Sequence, residues 1–270
     1  WVVRRARLSG RRRRLRRDLL RLRPPPLEGP CSWLVIPANR SRLSPVNFQD
    51  TQLIGVLARA ESTVSSLSSL LGGLVEKFAA RGYSLYLVGG SVRDALLGRL
   101  GNDLDFTTPA RPEVVKEILD EWAETVWDTG IDFGTVSAAY KGQQIEITTF
   151  RSDSYDGQSR NPEVVYGDTL EGDLVRRDFK ANAMAIELLA DASFKFHDPL
   201  HGLHDIADRV LDTPDKPEIS FHDDPLRMLR AARFASQLEF RVADRVVEAM
   251  RDMACLLYTS DAADDSLRVD

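Results

Sequence analysis

Leu67, Leu70, Leu71, Leu74, Val75 and Phe78 recur at three- and four-residue steps, the spacing of a single apolar stripe along a helix. Gly82 ends that helix. Residues 83–88 are then mostly apolar and short enough for a buried strand, which Gly89-Gly90 stops. A short helix is predicted over 91–97, with Gly98 closing it. Residues 104–108 read as a second strand and 112–122 as a second long helix, with Pro112 in its first turn. Residues 134–140 and 143–150 alternate in character about Lys141-Gly142, which predicts a hairpin.

Residues 151–170 are polar and rich in turn residues, including Asp156-Gly157 and Asn161-Pro162, and are expected to form a loop. Beyond them helices are predicted over 172–189, 201–209, 221–238 and 242–254, with a short strand at 194–196. A small mixed sheet followed by helices is an α+β arrangement. Residues 31–66 are rich in Ser, Pro and Asn and read as linker with one short helix. Residues 1–66 are therefore expected to be an irregular N-terminal extension, 67–189 a sheet-based domain, 190–254 a helical domain and 255–270 an uninformative end.

Composition narrows the class without naming the chemistry. The 270 residues are 43% hydrophobic and 29% charged, an ordinary globular balance. Cys31 and Cys255 are too few for a disulfide framework or a four-ligand zinc site, and point to a reducing compartment. No apolar run approaches the roughly 20 residues of a membrane helix. The net charge of −5 hides an asymmetry: residues 1–30 carry 11 arginines and a balance of +9, whereas 31–270 carry −14. The basic stretch, with Pro24-Pro25-Pro26, has no period that buries a face. It fits a nucleic-acid-binding arm, a transit peptide or an unstructured extension. Residues 257–265 break the preceding pattern and read as sequencing-adapter read-through.

Two short segments carry the chemistry. Gly89-Gly90-Ser91-Val92-Arg93-Asp94 lies where a strand hands over to a helix, so backbone N–H groups and Arg93 are available to a phosphate. No Gly-Lys-Ser/Thr follows, which excludes a Walker A loop. Asp103 and Asp105 alternate on a strand and share a face, while Leu104 takes the other. Two carboxylates about 5 Å apart repel by roughly 3 kcal/mol at an effective dielectric near 20, a cost that a hard divalent cation offsets. Glu146 shares the alternation of Ile145-Glu146-Ile147 and is either a third carboxylate of that site or a solvent-facing residue.

Further along, Arg176-Arg177-Asp178-Phe179 opens a predicted helix, and Asp224, Arg227, Arg230 and Arg233 step by three along another. Guanidinium forks suit a triphosphate or a base edge; a solvated charged face is the plainer alternative. His201 and His204 have no third ligand at a suitable spacing and read as a turn before a helix.

Together these segments resemble the class II (bacterial-type) CCA-adding tRNA nucleotidyltransferase and poly(A) polymerase family. The matching text is residues 87–99 with Asp103-x-Asp105, residues 146–151, Arg176-Arg177-Asp178-Phe179-x-x-Asn182-Ala183-Met184-Ala185, Asp198-Pro199-x-x-Gly202, and Asp224-Pro225-Leu226-Arg227-x-x-Arg230-x-x-Arg233. The resemblance implies a polymerase-beta-like nucleotidyltransferase head followed by an all-helical neck, and addition of CCA to the tRNA 3′ end from CTP and ATP. It implies that Asp103 and Asp105 are catalytic and bind two magnesium ions (Mg2+). Gly90, Arg93 and Arg177 would hold phosphates and sugar. Asp224 and Arg227 would meet the base edge, with Arg230 and Arg233 completing the pocket. Residues 151–165 would be a loop that helps switch from C to A addition. Body and tail helices that grip tRNA are expected beyond 254, and the cytoplasm is the expected location. Asp223, Lys180-Ala181 and Asp153 depart from the commoner residues of the family. Poly(A) addition, partial addition of CC or A, and a non-catalytic nucleotide- or RNA-binding fragment are the competing readings.

Overall fold

The apolar stripe at 67–78 is the C-terminal part of a helix that starts well before it. The computed structural model describes residues 48–154, 163–167 and 169–258, all within one folded unit. Its first helix, α1, runs Phe48–Ala80. Val56, Ala60 and Val64 extend the stripe of Leu67, Leu71, Leu74 and Phe78 by further steps of three and four, and all seven are buried. Residues 48–66 are thus helix where a linker was expected. The hydroxyl residues that suggested a linker bond back within the helix: Thr63 donates to the Arg59 carbonyl at 3.0 Å and Ser65 to that of Glu61 at 2.8 Å. The basic stretch 1–30 and residues 259–270 lie outside the described residues.

After α1 come β1 (Leu85–Val88), α2 (Gly89–Leu96), β2 (Asp103–Thr108), α3 (Pro112–Asp120), β3 (Thr125–Trp127), β4 (Thr135–Tyr140) and β5 (Gln143–Thr149). Then follow β6 (Arg151–Ser154), β7 (Glu163–Tyr166), α4 (Leu170–Val175), β8 (Ala185–Leu188), β9 (Phe194–His197), α5 (Gly202–Asp208) and β10 (Val210–Leu211). The chain continues with α6 (Pro217–Asp223), α7 (Leu226–Leu238), β11 (Arg241–Val242) and α8 (Asp244–Met253). Seven strands form one mixed sheet in the order β3-β4-β5-β2-β1-β8-β9. Within this sheet, among the described residues, only β2 and β5 pair in parallel; β10 and β11 pair in parallel as a separate two-stranded ribbon in the region expected to be all helical. The expected α+β class holds, and so does the hairpin: Lys141 and Gly142 both take positive φ, 48° and 77°, as a tight hairpin turn requires.

Several elements differ from expectation, each for a local reason. Residues 185–188 were expected in a helix; they form β8, which pairs with β1 and β9. All four residues are buried, and a strand covered on both faces shows no alternation. The sheet therefore extends through β9 to His197, beyond residue 189, where the sheet domain was expected to end. Residues 151–154 and 163–166 were expected in a loop but pair as an antiparallel ribbon; residues 155–162 between them lie outside the described residues. The helix expected over 221–238 is two helices. Asp224 is extended at φ −145°, and Pro225 supplies no N–H to continue the ladder. The three-residue strand β3 was missed because it is too short to show a period.

The core explains how the site residues are aimed. Leu104, Phe106, Ile145 and Ile147 pack with α1 and α3 residues on one face of the sheet. Alternation therefore turns Asp103, Asp105 and Glu146 to the other face. On α7, Met228 packs with Phe221 of α6 and with Val246 and Ala249 of α8. Ala231, Phe234 and Leu238 pack into the main core instead. The helix that carries the stepped arginines is thereby held between the α6–α8 cluster and the main core. Among the described residues no helix is long and apolar enough to cross a membrane.

Candidate active site

The turn from β1 into α2 is locked onto β2 by one hydroxyl. Ser91 Oγ donates to the Asp103 carbonyl at 3.2 Å and accepts the Asp105 N–H at 2.9 Å. Gly89 takes φ +67°, and a Cβ on it would lie 2.9 Å from Arg177 Nη1 and 3.5 Å from Asp105 Oδ2. Glycine is needed there twice over, for the left-handed backbone and for the close approach. The result is that Arg177 and Asp105 face one another across the turn.

Arg177 is held from α4. Asp173, fully shielded from solvent, accepts Arg176 Nη2 at 2.8 Å and Arg177 Nη2 at 3.0 Å. Burial alone would raise the Asp173 carboxyl, but Arg177 and Arg176 outweigh it and hold the group below the usual carboxylate range. Arg177 Nε is buried without a hydrogen-bond partner among the described residues, a donor in want of an acceptor.

A second set of bonds joins α2 to α7. Arg93 forks onto Asp94 at 3.0 and 2.9 Å and donates to Asn182 Oδ1 at 2.7 Å. Asn182 in turn donates to Asp178 Oδ1 at 2.9 Å, and Asp178 Oδ2 accepts Arg230 at 2.7 Å. Arg227 is fixed separately, through Nη1 to Ser220 Oγ at 2.9 Å and Nη2 to the Arg176 carbonyl at 3.0 Å. Asp224 Oδ1 accepts the Leu226 N–H at 2.9 Å, steadying the start of α7.

These groups line one cleft of about 530 Å³. Of the residues expected at the site, Gly90, Arg93, Asp105, Arg177, Asp224, Arg227, Arg230 and Arg233 line it. Asp103 does not; it is exposed, at the first position of β2. Arg151, Arg176, Asp178, Asn182 and Phe234 line the cleft as well and were missed as site residues. Asp178 and Asn182 were legible as a polar pair four residues apart, just after Arg176-Arg177, and Phe234 as the i+4 neighbour of Arg230. Seven arginines against three aspartates make the cleft a receptor for a polyanion rather than for an apolar ligand.

Asp105 is the one carboxylate of the Asp103/Asp105 pair in the cleft. Burial, then the Glu146 charge directly across on β5, push its carboxyl above the usual range; Arg177 pulls the other way, and Asp103 adds to the rise. A cation beside Asp105 would relieve that cost. Among the described residues no three His, Cys, Asp or Glu side chains form a group able to hold a metal ion. Magnesium sites of one or two carboxylates completed by substrate phosphates need no such cage, so the donor set fits a metal that arrives with a triphosphate. His201 and His204 pack edge to face at 5.9 Å away from the cleft. The Asp198 carboxylate caps the backbone N–H groups of Gly202 and Leu203 at 2.7 and 2.9 Å, and Gly202 abuts the Lys180 carbonyl too closely to bear a side chain. The Asp198-Pro199-x-x-Gly202 segment thus builds the junction with α5 rather than the cleft.

The chain is similar to known proteins in sequence and in fold. Residues 85–212 match the family described as the Poly A polymerase head domain. A CCA-adding enzyme of Lactobacillus helveticus (strain DPC 4571) is 43% identical over 172 residues, 63% of this chain and 41% of that protein. One of Listeria innocua serovar 6a is 41% identical over 185 residues, 68% of this chain and 45% of that protein. The crystal structure of Bacillus stearothermophilus CCA-adding enzyme in complex with CTP superposes with a TM-score of 0.60 at 37% identity, covering 70% of this chain and 44% of that one. A tRNA nucleotidyltransferase complexed with a primer tRNA and an incoming ATP analog gives a TM-score of 0.58 at 32% identity, covering 68% and 50%. The chain spans under half the length of these curated relatives. In the sequence of its motifs and in the sheet that presents them, the chain belongs to the bacterial-type CCA-adding tRNA nucleotidyltransferase and poly(A) polymerase family.

Proposed function

We propose that this chain carries the nucleotidyltransferase head, through the strand that ends at His197, and the helical neck of a template-independent RNA nucleotidyltransferase. The reaction is addition of CCA to the tRNA 3′ end from CTP and ATP, in the cytoplasm. The observation that carries this reading is the convergence of Asp105, the Gly89-Gly90 turn and seven arginines from α2, β6, α4 with its following turn, and α7 on one cleft. Gly90 and Arg93 would meet the phosphates, with Arg177 Nε, which has no hydrogen-bond partner among the described residues, beside them. Arg227, locked by Ser220 and the Arg176 carbonyl, presents its remaining donor edge from a fixed orientation, which suits selection of a base without a template. Asp105 and Asp103 would hold divalent magnesium, with Asp103 contributing from the rim. Bound there, the metal would offset triphosphate charge and favour ionisation of the attacking 3′-hydroxyl.

The test uses tRNA lacking its CCA end, Mg2+ and labelled CTP or ATP. The parent is expected to incorporate both nucleotides. Asp105→Ala should lower the rate at least about a thousandfold, on the scale of losing a central charge-stabilising group, while still binding CTP. Failure of the parent to incorporate either nucleotide while binding both would refute the catalytic reading and leave a nucleotide-binding fragment. Long A tracts formed with CTP ignored would establish poly(A) addition instead.

A further inference from the structure

Phe234 lines the cleft and is only 6% exposed, yet a phenyl ring has no hydrogen bond to offer a nucleotide. Three guanidiniums surround it. The Cζ of Arg93, from α2, stands 5.0 Å from the ring centroid, and those of Arg230 and Arg233, from α7, stand at 5.2 and 5.0 Å. An aromatic ring attracts a cation within about 6 Å, and one such contact per about 70–80 residues is usual; this single ring has three. Phe179 meets it edge-on, with centroids 5.9 Å apart and an interplanar angle of 89°, which braces the ring from the core side. Arg93 and Arg230 also have the carboxylates of Asp94 and Asp178. Arg233 has no carboxylate partner among the described residues. The Asn182–Asp178 relay ties Arg93 to Arg230, but among the described residues Arg233 has the ring rather than a carboxylate to keep it beside them; without the ring that charge would splay, and an incoming anion would have to collect it again at an entropic cost.

We infer that Phe234 is a positioning residue: its ring holds Arg93, on the phosphate side, at a set spacing from Arg230 and Arg233, on the base-selecting helix, so that a triphosphate meets a preassembled trio of cations. The inference rests on the nucleotide-binding reading above. It differs from plain core packing in requiring the electron-rich face of the ring and not merely its volume.

The experiment measures binding of CTP, ATP and inorganic tripolyphosphate to the full chain by calorimetry. It compares the parent with Phe234→Leu and with protein carrying mono-, di- and trifluorinated phenylalanine at 234. Fluorination drains the ring face while nearly preserving size. Binding of tripolyphosphate is expected to weaken stepwise with each fluorine, reaching about tenfold for the trifluoro ring and for Leu, with the melting midpoint of the fluorinated proteins little changed. Unchanged binding across the fluorinated series would overturn the inference, and that series decides the matter even where Phe234→Leu does not fold. A parent that binds tripolyphosphate but neither CTP nor ATP would refute the nucleotide reading, and the tripolyphosphate series would still judge the ring.

Discussion

Asp173 bears more of the cleft than its place outside it suggests, and replacing it by Asn tests that directly. Its side chain is wholly shielded from solvent and holds two arginines, through bonds of 3.1 and 2.8 Å from Arg176 and 3.0 Å from Arg177. Asn keeps the shape, removes the charge and turns an N–H₂ group toward guanidinium donors. Breaking one partner of a buried ion pair costs about 3–5 kcal/mol. Here the arginines retain 17% and 18% side-chain exposure, so water recovers part of their charge and the expected loss is about 3 kcal/mol. For a domain of this size that is a fall of roughly 6–12 °C in melting midpoint. Urea unfolding at pH 7 reads it. The pH dependence supplies a second check. The folded carboxyl of Asp173 lies below its ordinary value, so its stabilisation is complete above the unfolded pKa near 4 and is lost as pH falls through the lower, folded value. The gap between parent and Asp173→Asn should therefore be constant above about pH 5 and close in stronger acid. A loss under about 1 kcal/mol at pH 7, or a gap that closes toward high pH instead, would refute the assignment of this carboxylate as the anchor of both arginines.

Two further outcomes follow from the cleft and its surroundings. Gly89→Ala puts a Cβ at φ +67° and 2.9 Å from Arg177 Nη1; stability should drop by about 1–2 kcal/mol and CTP binding should weaken, as titration calorimetry would read. Gly90→Ala needs no left-handed backbone and comes no closer than 3.4 Å to Arg93 Nη2, so it should be milder, and equal damage at the two positions counts against the argument. Asp205, with one carboxylate oxygen buried and without a hydrogen-bond partner among the described residues, is raised by burial to about 7. An acid raised on folding loses its contribution as pH climbs through the folded value, so stability should decline from about pH 4 to pH 8 on this account. Asp205→Asn should flatten that decline and be the more stable form at pH 8. The group is partly solvated, which limits the gain to roughly 1 kcal/mol of the several a full shift would carry. A parent no less stable at pH 8 than the variant would remove Asp205 as the cause.

The chain's own order of residues determined everything that depends on neighbours within a turn or a strand. Alternation at Leu104 and Phe106 sent Asp103 and Asp105 to the face opposite the core. The turns at Gly89, after Val88, and at Gly142 were legible because positive φ selects glycine. Where local signals conflicted, the tertiary structure ruled. The hydroxyl residues of 48–66 spoke for a linker until burial of Val56, Ala60 and Val64 made the segment helix. Ala185–Leu188 were expected in a helix, because covering on both faces erases the period that would have marked a strand. The site divided in the same way. Asp103 and Asp105 look equivalent in sequence, but only Asp105 lies against the Gly89 turn. One strand repeat, about 7 Å, leaves Asp103 at the solvent-exposed start of β2. That Arg93 of α2 and Arg230 and Arg233 of α7 would share one phenyl ring was beyond any sequence period. Periodicity reports which way a side chain leaves its own element; what it meets there is decided by the packing of elements more than a hundred residues apart.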